Sequence, residues 1–138
     1  MPLMPDDLVD KLEIQVRYAD IDSYGHVNNA VFLSYFELGR INFLRKHISR
    51  ERIEDLSIVV ARAEVDYLSE IKLGDTVTCE TWISSIGRTS LVFEAVLRKA
   101  GREAAKAKIT MVHVDKSGRP KPLPEFYLEL ANHVGNIT

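Results

Sequence analysis

Between Arg17 and Phe32 the chain reads Arg17-Tyr18-Ala19-Asp20-Ile21-Asp22-Ser23-Tyr24-Gly25-His26-Val27-Asn28-Asn29-Ala30-Val31-Phe32, which sets two acids, a histidine and two asparagines just ahead of an apolar helical pattern. Reactive side chains thus meet a helix start. The first N–H groups of a helix lack intrahelical partners and carry the positive end of its dipole. Such a terminus holds developing negative charge, including the oxyanion of an acyl-transfer intermediate. Asp22 is the candidate carboxylate of that chemistry, either as nucleophile or as general base on water. Asp20 reads as a loop-orienting acid that accepts backbone hydrogen bonds. His26 suits hydrogen bonding to the reacting group, proton shuttling near neutral pH, or pinning the loop to a neighbouring strand. Asn28 and Asn29 suit helix capping, with a backbone N–H from Val27 to Asn29 as oxyanion donor. Contact of either asparagine side chain with substrate or water is a further use.

Other catalytic chemistries find little support. The chain has no Gly-x-Ser-x-Gly elbow, and its one cysteine, Cys79, falls in a strand pattern where it reads as a small core residue. His26, His47, His113 and His133 show no metal-ligand spacing, so neither a metal nor a cofactor is expected. A net charge of -2 argues against a nucleic-acid footprint. The start, Met1-Pro2-Leu3-Met4-Pro5-Asp6-Asp7, is acidic and does not read as a signal peptide, and no apolar run approaches membrane-spanning length. A cytoplasmic protein without membrane partners is the expectation.

The elements that must position these residues follow from hydrophobic period. At 138 residues the chain reads as a single domain, with a core over about 12–115 and a C-terminal loop and short helix over 116–138. Leu12, Ile14, Val16 and Tyr18 alternate with Glu13, Gln15 and Arg17 as a first strand. A helix capped by Asn28 or Asn29 runs to about Lys46, with Phe32, Phe36, Gly39 and Phe43 on one stripe. Val31, Tyr35, Leu38, Leu33 and Leu44 widen its apolar surface so far that the helix is expected to be surrounded by protein. Most of the phenylalanine stripe reads as core, while its first turn can line a pocket. Glu37 and Arg40 are spaced to pair.

From Ser57 the period changes to two. Val59, Ala61, Ala63, Val65 and Tyr67 mark a strand with one buried face, followed by a Leu73-Gly74-Asp75 turn. Val77, Cys79, Thr81 and Ile83 mark the next strand, and Gly87-Arg88 the next reversal. Leu91, Phe93, Ala95 and Leu97, then Ala105, Ala107, Ile109 and Met111, complete the series, and short connections predict an antiparallel meander. A long central helix wrapped by a curved antiparallel sheet of about five strands is an α+β fold. Its open edges predict a homo-oligomer.

These residues carry a family resemblance. Tyr18-x-Asp20-x-Asp22-x-x-Gly25-His26-Val27-Asn28-Asn29, the helical Tyr35-Phe36-Glu37-x-x-Arg40, and Val65-Asp66-Tyr67-Leu68 with Gly74-Asp75 resemble the hotdog-fold acyl-CoA thioesterases of the 4-hydroxybenzoyl-CoA thioesterase type. The resemblance implies acyl-CoA hydrolysis to a carboxylic acid and CoA, with Asp22 at the catalytic aspartate. It also implies a homodimer or homotetramer whose active site lies between subunits. Asn29 stands where several members carry histidine, and Tyr24 where acyl-ACP thioesterases carry asparagine. Acyl-ACP hydrolysis and noncatalytic acyl binding are therefore the alternatives. Tyr24, Val27, Asn28 and Asn29 are expected around the acyl thioester. Coenzyme A phosphates favour basic groups at a pocket mouth, and Arg88 with Thr89 and Ser90 is the leading candidate set; Arg62, Arg98, Lys99, Arg102, Lys106 and Lys108 are others.

Overall fold

The computed structural model describes residues 8–48 and 57–131. Strand β1 (Asp10–Gln15) leads through a 3₁₀ turn at Tyr18–Asp20 and the acid-rich loop into helix α1 (Asn29–His47). Strands β2 (Ile58–Tyr67), β3 (Thr76–Ile86), β4 (Ser90–Lys99) and β5 (Arg102–His113) follow, then the short helix α2 (Glu125–Ala131). The predicted continuation of α2 towards Val134 lies outside the described residues.

All five strands form one antiparallel sheet in the order β1-β3-β4-β5-β2. Only β3, β4 and β5 make the predicted meander. β2 does not pair with β3, its neighbour in sequence, because β1 occupies that edge. β2 lies instead at the far side against β5, with Tyr67 opposite Ala105. The 68–75 connection is anchored on the way: the N–H groups of Leu68 and Ser69 donate to the Ala104 carbonyl, and the Val27 N–H donates to that of Ile71.

α1 packs across β3, β1 and β4. Phe32, Tyr35, Phe36, Gly39 and Phe43 face the sheet, where they meet the buried residues Val77, Cys79, Ile83, Phe93 and Leu97. Gly39 is required by this approach. A Cβ there would sit 2.5 Å from Cys79 Sγ and 2.6 Å from Thr81 Oγ1. Burial pushes the Cys79 thiol up to about 11, which keeps it neutral as a core group.

Four expectations are corrected. β1 ends at Gln15, and Tyr18 is exposed rather than inward, because hydrogen bonds between Arg17 and Asp20 fold the chain into a turn. α1 is not surrounded within one chain: Leu33, Leu38 and Ile41 are exposed on its outer face. Glu37 and Arg40 form no ion pair; Arg40 is half-buried, and burial depresses its pKa against the opposing pull of the Glu37 charge. Finally, β2 buries neither face. A bulge between Val60 and Arg62 reverses the alternation, so Val60 lies opposite inward Met111 while Val59 lies opposite Val112 on the outer face.

Candidate active site

The acid-rich loop is held at both ends by Asp20. Its carboxylate accepts from the Arg17 N–H (3.0 Å), from Arg17 Nε (3.3 Å) and Nη2 (2.9 Å), and from the Tyr35 hydroxyl (2.7 Å). Its backbone carbonyl accepts from the Asn28 N–H at 2.9 Å. Asp20 is only 2% exposed. Burial alone would raise its pKa, but these donors and the Arg17 charge outweigh it and hold the carboxyl below its ordinary value. The same contact and burial drive the Tyr35 hydroxyl pKa upward. Asp20 therefore has the loop-orienting role expected of it, with every strong donor supplied by the chain itself.

Asp22 is placed differently. Its Oδ1 accepts from the Tyr24 N–H (2.9 Å) and the His26 N–H (3.3 Å), while its own N–H donates to the His26 carbonyl (2.8 Å). Among the described residues Oδ2 has no hydrogen-bond partner. The loop closes through Gly25, whose φ of 85° is a left-handed conformation that glycine adopts without strain. Side-chain capping is the work of Asn28, whose Oδ1 accepts from the Ala30 N–H at 2.8 Å.

Of the three candidate oxyanion donors, two are already used. The Val27 N–H donates to the Ile71 carbonyl and the Asn28 N–H to the Asp20 carbonyl. The Asn29 N–H, at the first residue of α1, has no partner among the described residues.

His26 is drawn away from Asp22. Its backbone bridges to Lys72, and its Nε2 lies 2.8 Å from Glu70 Oε2, while Glu70 Oε1 also meets Lys72 Nζ at 3.2 Å. No side-chain hydrogen bond joins His26 to Asp22. The pinning role expected as one option for His26 is thus visible in the geometry.

A cleft of about 670 Å³ collects these groups. Asp22, Tyr24, His26, Val27, Asn28 and Asn29 line one side of it, as the sequence implies, and Phe32 joins them from the first turn of α1. The other side, Tyr67 to Glu70, was not among the site residues expected. Tyr67 and Leu68 appear in the family-like motif, but nothing local in the sequence marks Glu70. Its place depends on the long-range pairing of His26 with Lys72.

Arg88, Thr89 and Ser90 do not line this cleft. They lie at the β3–β4 hairpin, where Ser90 pairs with Val112, whereas Tyr67 pairs with Ala105. Val112 and Ala105 are at opposite ends of β5, roughly 23 Å apart at the usual rise of ~3.3 Å per residue.

Comparison with known proteins identifies the family of the fold. Residues 16–130 match the model of the thioesterase-like superfamily. A solved thioesterase from Thermus thermophilus, complexed with coenzyme A and zinc, is 45% identical with a TM-score of 0.79, over 86% of this chain and 88% of that one. A predicted thioesterase from Bacillus stearothermophilus is 30% identical with a TM-score of 0.83, over 93% and 98%. The acyl-CoA thioester hydrolase YbgC of Escherichia coli is 30% identical over 117 residues, 81% of this chain and 87% of its own length. Among the described residues no three histidine, cysteine, aspartate or glutamate side chains are grouped so as to hold a metal ion. Among the described residues no helix is long and apolar enough to cross a membrane. The hotdog sheet, the helix it curls around and the matched 16–130 span together establish that the chain belongs to the thioesterase-like superfamily and is a thioester hydrolase.

Proposed function

We propose that the protein hydrolyses acyl-CoA thioesters to a carboxylic acid and CoA at the cleft around Asp22. The observation that carries this reading is the division of labour in the Asp22 carboxylate. Two backbone N–H groups fix Oδ1, and Oδ2 is left without a partner in a cleft that also holds an unpaired helix-terminal N–H at Asn29. A thioester carbonyl needs little more than a positioned carboxylate, an oxyanion donor and a pocket.

In one route Oδ2 attacks the carbonyl carbon, and the oxyanion forms against the Asn29 N–H. Collapse breaks the C–S bond, CoA leaves as thiolate and takes a proton from water, and a second water hydrolyses the resulting anhydride. In the other, Oδ2 takes the proton of a water that attacks the same carbon, and collapse of the intermediate breaks the C–S bond, with the departing CoA thiolate taking that proton back from Asp22. Asn28 holds the helix start in place, and Tyr24 and Val27 flank the acyl thioester. His26, tied to Glu70, contributes less than Asp22 to the chemistry.

A homodimer, alone or paired into a homotetramer, belongs to the same proposal. Among the described residues no strand pairs with the outer edge of β2, and its Val59 and Val60 are 47% and 48% exposed. Pairing two β2 strands antiparallel brings the Ile58 end of one copy beside the Tyr67 end of the other. It thereby carries the Arg88-Thr89-Ser90 hairpin of a second copy towards this cleft. Arg88 then serves the CoA phosphates across the interface, which explains its distance from Asp22 within one chain.

The test is release of free thiol from a panel of acyl-CoAs by the wild type and by Asp22→Asn. The amide is isosteric but neither a nucleophile nor a base, so turnover is expected to fall by about a thousandfold or more at unchanged melting temperature. Unchanged turnover in Asp22→Asn rejects Asp22 as the catalytic group. Absence of thiol release by a folded wild type favours an acyl-ACP substrate or acyl binding alone.

A further inference from the structure

Two rings that line the cleft take no part in the hydrolytic step. Phe32 is 2% exposed, and Tyr67, the last residue of β2, meets it edge-on with centroids 5.1 Å apart and planes at 67°. The Tyr67 hydroxyl donates to the Asn29 carbonyl at 2.9 Å. Tyr67 is therefore braced twice, by the ring contact and by a hydrogen bond to the helix start that also carries the free Asn29 N–H. An edge-to-face aromatic pair is directional, and tyrosine has few torsions to give up, so the two contacts hold its ring in one place.

The lining of the cleft is mixed in polarity. Asp22, His26, Asn28, Asn29, Ser69 and Glu70 are polar, Val27, Phe32, Tyr67 and Leu68 are apolar, and Tyr24, 84% exposed, stands out in solvent on the Asp22 loop. An acyl group whose carbonyl carbon sits at Asp22 runs along Val27, Phe32, Tyr67 and Leu68, because an alkyl chain laid against Glu70 and His26 would strip water from polar groups without replacing it. Along that path it meets Phe32 and the braced Tyr67 ring. Both belong to the same chain as Asp22, so the obstruction exists whatever a second copy adds at the open side.

We propose that Tyr67, held by Phe32 and the Asn29 carbonyl, closes the acyl end of the cleft and sets the longest acyl chain the enzyme accepts. The inference rests on the thioesterase reading of the same cleft. A filled apolar pocket discriminates against one excess methylene by roughly tenfold or more in kcat/KM. A fixed ring imposes such a limit sharply, and a smaller side chain moves it outward.

The experiment is a kcat/KM profile for straight-chain acyl-CoAs from acetyl to palmitoyl, for the wild type, Tyr67→Leu and Tyr67→Ala, with folding checked by circular dichroism. Tyr67 is 44% exposed at a strand end and lies outside the buried cluster, so its replacement removes the ring contact to Phe32 and the hydrogen bond to Asn29 but no buried side chain. The wild type is expected to show a length beyond which kcat/KM drops. That length increases in Tyr67→Leu and further in Tyr67→Ala, with a gain of about tenfold for the first chain past the wild-type limit. A profile with the same limit in all three proteins overturns the assignment of Tyr67 while leaving the thioesterase reading in place. So does a wild type that accepts palmitoyl-CoA without loss. A folded wild type that releases no CoA from any substrate overturns the thioesterase reading itself, and this inference with it.

Discussion

β3 and β2 are strands of eleven and ten residues with similar alternation in sequence and opposite fates in the fold. Val77, Cys79, Thr81 and Ile83 on β3 are fully buried beneath α1, while along β2 only Ile58 and Val65 are even half-buried. The difference is one of position. α1 crosses β3, β1 and β4, and β2 lies two strands beyond β4 at the edge. A strand with the composition of a buried strand, exposed in one chain beside the candidate active site, is the feature on which the proposed homodimer rests. On that proposal the covered region supplies stability, and the exposed edge supplies assembly and part of the site.

Substitutions in the two regions should accordingly separate those properties. Val60 and Ala63 face inward on β2 and are exposed in a single chain, so the double substitution Val60→Lys with Ala63→Lys leaves the chain folded. Lysines brought together where two β2 strands pair repel one another and oppose edge-to-edge pairing. Sedimentation is expected to show a monomer, and kcat/KM for acyl-CoA to fall at least about tenfold as the second copy's Arg88 hairpin is lost from the cleft. A monomer with full activity would show that the cleft of one chain suffices.

Gly39→Ala probes the covered region. The added methyl group meets Cys79 and Thr81 at overlapping distance, and overpacking of this kind costs about 3 kcal/mol. Alanine recovers about 1 kcal/mol of helix propensity, which leaves a net loss of about 2 kcal/mol in urea unfolding. Assembly and chain-length profile stay as in the wild type. If Gly39→Ala dissociates the oligomer while the β2 lysines merely lower stability, the assignment of roles to the two regions is reversed.

The contrast also explains which features could be read from the chain. β3, β4 and β5 were legible because each pairs with its sequence neighbour through a short turn, so local alternation carries all the information. β2 was legible as a strand but not in its place, since its partner is chosen by which edges β1 and the 68–75 connection leave open, and its bulge at Ala61 inverts the faces without any local mark. The site divides the same way. Asp22 to Asn29 are contiguous, and helix-terminus chemistry singles them out. Tyr67 and Glu70 reach the cleft only after His26 has bridged to Lys72, and the donor at Asn29 emerges only once Val27 and Asn28 have found other acceptors.

The smallest expected effect concerns Asp20, the buried acid of the loop ahead of α1. Folding holds its carboxyl below the ordinary value of 3.8, so the unfolded chain binds this proton more tightly than the native one. The carboxylate therefore contributes stability above the ordinary carboxylate range and loses it as pH falls through the depressed native value. Tyr35→Phe removes one donor to Asp20 and keeps the ring. A hydrogen bond to a charged group contributes about 1.5–3 kcal/mol, and with three Arg17 donors remaining the loss should lie near about 1.5 kcal/mol at neutral pH. Because the variant raises the native pKa of Asp20 towards the unfolded value, its acid loss of stability should be shallower than that of the wild type, and the two melting curves should approach each other as Asp20 becomes protonated. Melting temperature followed from neutral pH to below pH ~3 checks this. A wild-type and a Tyr35→Phe curve that stay parallel over that range would mean that Asp20 is not the charge through which the Tyr35 hydroxyl acts.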